Sequence, residues 1–242
     1  MKFKIQGNNL PSVEINLDDN ESVFTESGAM SWMSSNIEME TTTGGGLLKG
    51  IGRMFAGESL FIINFTSKGK GHITFTSEFP GKIVPFKLKD EEQIIFQKDS
   101  FLCAEKSVKL DIHFNKKIGV GLFSGEGFIM QKATGPGHVF LEVDGDVVEM
   151  NLKSGEEIKV DTGHIAIFEP SVHYDYQVVS GFKNKIFGGE GLFLATLKGP
   201  GKVWLQTMPI RNLALRIHKY LPASGGKGNK AGINFGDVLE RI

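Results

Sequence analysis

The sequence predicts an all-β protein in which one β unit is built three times in a single chain, followed by one short helix. Three observations carry this expectation. Two blocks recur at one fixed spacing, their apolar runs are divided by Gly-rich turns, and a single C-terminal stretch has helical periodicity.

The recurrence comes first. Residues 87–111 ("KLKDEEQIIFQKDSFLCAEKSVKLD") align without a gap on residues 151–175, at a displacement of 64. Leu88, Glu92 and Ile94 fall on Leu152, Glu156 and Ile158; Glu105, Ser107, Val108 and Asp111 fall on Glu169, Ser171, Val172 and Asp175. "GEGFIMQKATGPGHVFLE" (125–142) and "GEGLFLATLKGPGKVWLQ" (189–206) keep the same displacement. A looser copy lies 71 residues before the second. It puts Leu17, Glu21, Val23, Met30, Trp32 and Ile37 on Leu88, Glu92, Ile94, Phe101, Cys103 and Val108, and "GESLFIINFTSKGKGHITF" (57–75) is its second block. The expected organisation is a triplicated β domain over residues 1–208, with blocks 16–75, 87–142 and 151–206 as β-sandwich-like repeats around a pseudo-threefold axis. Residues 209–242 form the helix and a flexible tail.

The blocks read as strands. "SFLCAE", "HIAIFE" and "HVFLEV" alternate in part and "LFIINF" is a fuller apolar run. "GKG" and "GPG" between runs are turn signals, because Gly accepts positive φ and Pro fixes its own. Residues 208–222 place Ile210, Leu213, Ala214, Ile217 and Leu221 on one helical stripe, with Pro209 suited to the first turn and Pro222 ending it.

Composition bounds the function. The 19 Phe against 3 Tyr and 2 Trp favour a large dry core, and the 31 Gly fit many turns. A net charge of −1 gives no electrostatic case for nucleic acid. One cysteine, Cys103, excludes an internal disulfide and fits a reducing compartment. The N-terminus has no apolar run of signal-peptide length, and no stretch approaches the roughly 20 apolar residues of a membrane helix. The expectation is a soluble cytoplasmic protein.

Motifs for chemistry are weak. In "GGGLLKGIGRMFAGES" Lys49 is followed by Gly50, so the hydroxyl of a phosphate-cradling loop is missing. The loop 44–57 instead interleaves Leu47, Leu48, Ile51, Met54 and Phe55 with Lys49 and Arg53, a composition for packing on the β body, for a partner or assembly contact, or for peripheral membrane contact. His173 with Asp175, and Asp111 with His113, have metal-ligand spacing. Lys109 stands where His173 aligns, however, so neither pair is reinforced by the repeat, and no metal or other cofactor is expected. No Ser lies in a nucleophile elbow, and Cys103 sits in an apolar strand pattern. Glu126 and Glu190 recur in Gly-Glu-Gly, with Glu58 in Gly-Glu-Ser. They are expected to accept backbone N–H bonds in one repeated tight turn, the alternative being a ring of carboxylates that binds a ligand.

At these blocks the chain resembles a known family. "GGGLLKGIGRMFAGESLFIINFTSKGKG", "PGKIVPFKL" and "GPGKVWLQTMP" are similar to segments of the altered-inheritance-of-mitochondria family, over most of residues 1–208. The resemblance implies a fold like that of the trp RNA-binding attenuation protein, tripled in one chain. It also implies an association of mitochondrial members with inner-membrane organisation, while bacterial members have no established activity. RNA and tryptophan binding are not implied, since no residues match. Three function classes follow in order: a non-enzymatic structural or interaction protein that self-associates or binds a protein partner, a small-ligand module using the grooves between repeats, and a metal-dependent β-barrel enzyme, which the histidine spacing disfavours.

Overall fold

The computed structural model describes residues 1–26, 28–43, 61–116, 128–178, 193–218 and 220. Strand β1 (Lys2–Gln6) precedes three units of six strands each. Unit one holds β2 (Ser12–Leu17), β3 (Ser22–Glu26), β4 (Met30–Met33), β5 (Ile37–Thr43), β6 (Phe61–Ser67) and β7 (Gly71–Thr76). Unit two holds β8 (Gly81–Leu88), β9 (Gln93–Gln97), β10 (Phe101–Glu105), β11 (Lys109–Lys116), β12 (Phe128–Thr134) and β13 (Gly137–Asp144). Unit three holds β14 (Val147–Leu152), β15 (Glu157–Asp161), β16 (Ile165–Phe168), β17 (His173–Val178), β18 (Phe193–Lys198) and β19 (Gly201–Gln206), and helix α1 (Ile210–His218) follows.

Every unit repeats one pairing scheme, all antiparallel. The first and third strands flank the sixth, and the second and fourth flank the fifth. The third-to-sixth pairing slips by one residue at the same place in each unit, between Met30 and Trp32, between Phe101 and Cys103, and between Ile165 and Ile167. A shared bulge at matched positions is independent support for the sequence alignment. The blocks expected from sequence begin at 16, 87 and 151, inside the first strands. Identity between copies starts only at Leu17, Leu88 and Leu152, the buried last residues of those strands.

The period of two puts alternate residues inside. In β2, Val13, Ile15 and Leu17 are buried while Glu14 and Asn16 are not. A turn carboxylate fixes the step into the second strand of each unit. Glu21, Glu92 and Glu156 accept the backbone N–H of Asp18, Lys89 and Lys153 at 2.9, 2.8 and 2.8 Å. Gly137 and Gly201 start the sixth strands of units two and three at φ 137° and 142°. A Cβ there would meet Ser107 Oγ and Val108 Cγ2 at 2.8 and 2.9 Å, or Ser171 Oγ and Val172 Cγ2 at 2.5 and 2.8 Å, so the recurring Ser-Val pairs and the glycines that follow form one packing motif.

Units are joined because neighbours share a sheet. The second strand of one unit pairs with the third strand of the next, β3 with β10 and β9 with β16. The sheets are therefore β1-β2-β7-β4, β5-β6-β3-β10-β13-β8, β11-β12-β9-β16-β19-β14 and β15-β18-β17. β10 is buried on both sides: Phe101 and Ala104 enter the core of unit two, while Leu102 and Cys103 enter that of unit one. In β16, Ala166 and Ile167 serve unit two, and Ile165 and Phe168 serve unit three. Such two-sided burial explains why "FLCA" and "IAIF" are apolar throughout instead of alternating. No pairing joins β15 to β4, so strand pairing forms a row of three units and does not by itself close a ring about the expected threefold axis.

The helix is shorter than the expected 208–222. Its first backbone N–H, that of Ile210, is taken by Asp144 Oδ2 at 2.8 Å. The apolar stripe is only half covered, with Ile210 and Ile217 remaining 36% and 49% exposed.

Candidate functional site

The two ends of the row are the first candidate. Among the described residues β4 pairs only with β7 and β15 only with β18, so each lies at the edge of its sheet. Their counterparts in the other units have partners on both sides. The consequence shows at one residue. Trp32 is 52% exposed, whereas Cys103 and Ile167, which occupy its place in units two and three, are 0% exposed. On β15, Glu157, Lys159 and Asp161 face water, where β3 and β9 carry buried apolar residues at the place of Lys159, Phe24 and Ile95. A strand edge with one side open presents backbone donors and acceptors to another chain.

The second candidate is a cavity of about 320 Å³ between units two and three, lined by His113 and Phe114 of β11, Pro170, Ser171 and Val172 of the preceding turn, and His173 and Tyr174 of β17. Tyr174 forms its floor. Its ring stacks on Phe114 at 4.8 Å, Phe128 at 5.8 Å and Phe168 at 6.2 Å between ring centres. Burial, and then the charge of Lys132, push the His113 imidazole below its ordinary value, which favours the neutral ring with one acceptor nitrogen. The volume lies at the small end of ligand pockets. Sequence reasoning kept His113 and His173 apart because they lie in different units at unaligned positions. Packing of two sheets brings both to one opening.

Three further histidines have structural partners. His72 Nδ1 meets Ser34 Oγ at 2.9 Å, His138 Nδ1 meets Glu105 Oε1 at 2.6 Å, and His164 Nδ1 meets the Gln206 carbonyl at 2.7 Å. Burial pushes the Cys103 thiol well up, which keeps it protonated and unreactive. Among the described residues no group of three or more His, Cys, Asp or Glu is placed to hold a metal ion. Leu47, Leu48, Lys49, Ile51, Arg53, Met54 and Phe55, and the turn carboxylates Glu58, Glu126 and Glu190, lie outside the described residues. The backbone-accepting role expected of those glutamates is filled at another turn by Glu21, Glu92 and Glu156. Their alignment in all three copies was the available signal.

One half-buried acid stands out. Desolvation, more than offsetting a hydrogen bond from Ser77, raises the Glu142 carboxyl to about 7, and the charges of Asp144 and Glu78 add to the rise. Ser77 Oγ lies 2.6 Å from Glu142 Oε2 and 2.8 Å from the Phe79 carbonyl. Ser77 is the donor in both contacts, and its one hydrogen serves one acceptor at a time.

Fold and site together define an all-β protein made from a triplicated six-strand unit with open sheet edges at both ends. The family model described as mitochondrial biogenesis AIM24 matches residues 3–208, and the chain belongs to that family. It is 30% identical over 233 residues to the uncharacterised protein M6_Spy0233 of Streptococcus pyogenes serotype M6, an alignment that covers 93% of this chain and 92% of that protein. Its fold is similar to the crystal structure of protein SPYM3_0169 from Streptococcus pyogenes, with a TM-score of 0.74 at 29% identity, over 91% of this chain and 99% of that one. Among the described residues no helix is long and apolar enough to cross a membrane.

Proposed function

We propose that this protein is a non-enzymatic interaction module that binds polypeptide chains along the sheet edges its repeat leaves open. The observation that carries this reading is the exposure of Trp32 at a position where the other two units bury their residue completely. An exposed tryptophan on an open edge supplies both the backbone pairing and the large apolar contact that chain recognition uses. Supporting the absence of catalysis, Cys103 is buried, and His72, His138 and His164 are held by structural partners. A cytoplasmic location fits the single thiol.

The test is association measured by light scattering on a sizing column, for the parent and for Trp32→Arg. The reading expects the variant to keep its fold by circular dichroism and to lose association with itself or with a purified partner. Undiminished association would overturn the reading. The cavity beside His113 and His173 favours a second reading, a small-ligand module at the groove between units two and three. A thermal-shift screen tests it. Stabilisation that disappears in Tyr174→Ala supports ligand binding there, and a screen with no stabilising compound counts against it.

A further inference from the structure

The occupant of the open edges can be identified from the chain's own construction. Two internal junctions already show how a second strand receives a third strand, and their registers agree. At the first, Phe24 faces Ala104; at the second, Ile95 faces Phe168 and Phe96 faces Ile167. The displacements of 71 and 64 carry Phe24 onto Ile95 and Lys159, and Ala104 onto Met33 and Phe168. The same rule puts Trp32 opposite Val160. β15 therefore lacks a β4-like strand and β4 lacks a β15-like strand, while the structure leaves these two unpaired with each other.

We infer that a second copy of this chain completes the junction, with β4 of one copy pairing antiparallel to β15 of the next, Met33 opposite Lys159 and Trp32 opposite Val160. This deepens the interaction reading above and rests on it. The contact is head-to-tail, so it builds a ring if the rotation between copies closes and a filament if it does not. Lys159, where Phe24 and Ile95 stand, and Ser31, where Leu102 and Ala166 stand, are the two residues of the junction that depart from apolar counterparts. The four-carbon stem of Lys159 can lie along Met33 while the ammonium stays in water. A lysine on an edge also discourages indiscriminate pairing, so this junction is weaker than the two inside the chain and depends on concentration.

Mixed single-cysteine variants test the register. Directly opposed residues of an antiparallel pair have Cα atoms about 4.5–5.5 Å apart, within the range a disulfide spans. Met33→Cys and Lys159→Cys are made on the full chain, where the native Cys103 is buried and silent. Mixed and oxidised with diamide, they are expected to give a disulfide dimer at several-fold higher yield than either variant alone or than a Met33→Cys and Glu14→Cys mixture. Trp32→Arg added to the first partner is expected to cut that yield to the level of the control mixtures. Equal yields in all mixtures would overturn the inference. So would a Met33→Cys/Lys159→Cys double variant that cross-links only within one chain, since that would mean the row closes on itself. If cross-chain disulfides fail while Trp32→Arg still abolishes binding to a different purified protein, the inference falls and the broader interaction reading stands.

Discussion

Replacing Glu142 by Gln should stabilise the protein above neutral pH and leave it nearly unchanged in acid. The folded carboxyl is raised from 4.5 to about 7. A raised carboxyl binds its proton more tightly when folded, so its contribution is fully present below about pH 4.5 and is lost as pH rises to about 7. Each pH unit of that gap corresponds to about 1.4 kcal/mol, which sets an upper bound of about 3.5 kcal/mol. Glu142 is only partly buried, so solvent screening reduces the expected gain of the variant to about 1–2 kcal/mol at pH 8.5. The glutamine is uncharged like the protonated acid, and its amide oxygen can still accept from Ser77 Oγ. In a chain of this length about 1 kcal/mol moves Tm by roughly 2–4 °C. Calorimetry of parent and variant at pH 5 and pH 8.5 reads the difference directly. A variant less stable than the parent at pH 8.5, or an advantage of equal size at both pH values, would refute the argument that Glu142 is forced to carry a charge against its surroundings.

Further predictions concern the repeated packing. Gly201→Ala should cost about 2–4 kcal/mol in a urea titration, because it combines a left-handed φ with a Cβ 2.5 Å from Ser171 Oγ. Gly155→Ala, at φ 81° with nothing within 4 Å, should cost only about 1–2 kcal/mol, so the difference between the two isolates the packing. Cys103, fully buried, should react with an aromatic disulfide reagent only as fast as the protein opens, and denaturant should raise its rate by orders of magnitude. Phe140→Ala, which removes a fully buried ring packed edge-on against Phe3, should cost about 3–5 kcal/mol.

Much of the fold was legible because repetition amplifies weak signals. No single match among Leu88, Glu92, Ser107 and Gly137 is informative alone, but each recurs at one displacement and each does the same physical job in both copies. The all-β class and the C-terminal helix were also readable, and the helix starts two residues later than its expected 208, at Ile210, where Asp144 takes the first backbone N–H. The open junction was not legible. "MSWM" differs from "FLCA" by one polar residue, Ser31 in place of Leu102, and a strand's composition does not say whether a neighbour covers it. The departure at Lys159 was visible only once Phe24 and Ile95 were known to sit between units. The cavity was hidden for a related reason: His113 and His173 belong to different copies, and alignment of copies compares equivalent positions, never facing ones. Glu58, Glu126 and Glu190 drew attention because Gly-Glu-Gly is conspicuous, and they lie outside the described residues. Glu21, Glu92 and Glu156 act through a three-residue reach back to a backbone N–H, for which no glycine is needed.

The central claim is that the chain carries three equivalent units whose last junction is left for another chain. Hydrogen exchange measured segment by segment at two protein concentrations tests it. In dilute protein, amides of β4 and β15 should exchange at least ten times faster than those of β10 and β16 and become protected as concentration rises, while β10 and β16 stay slow throughout. Protection of β4 and β15 equal to that of β10 and β16 in a dilute monomer would contradict the account, because the junction would then already be closed within one chain.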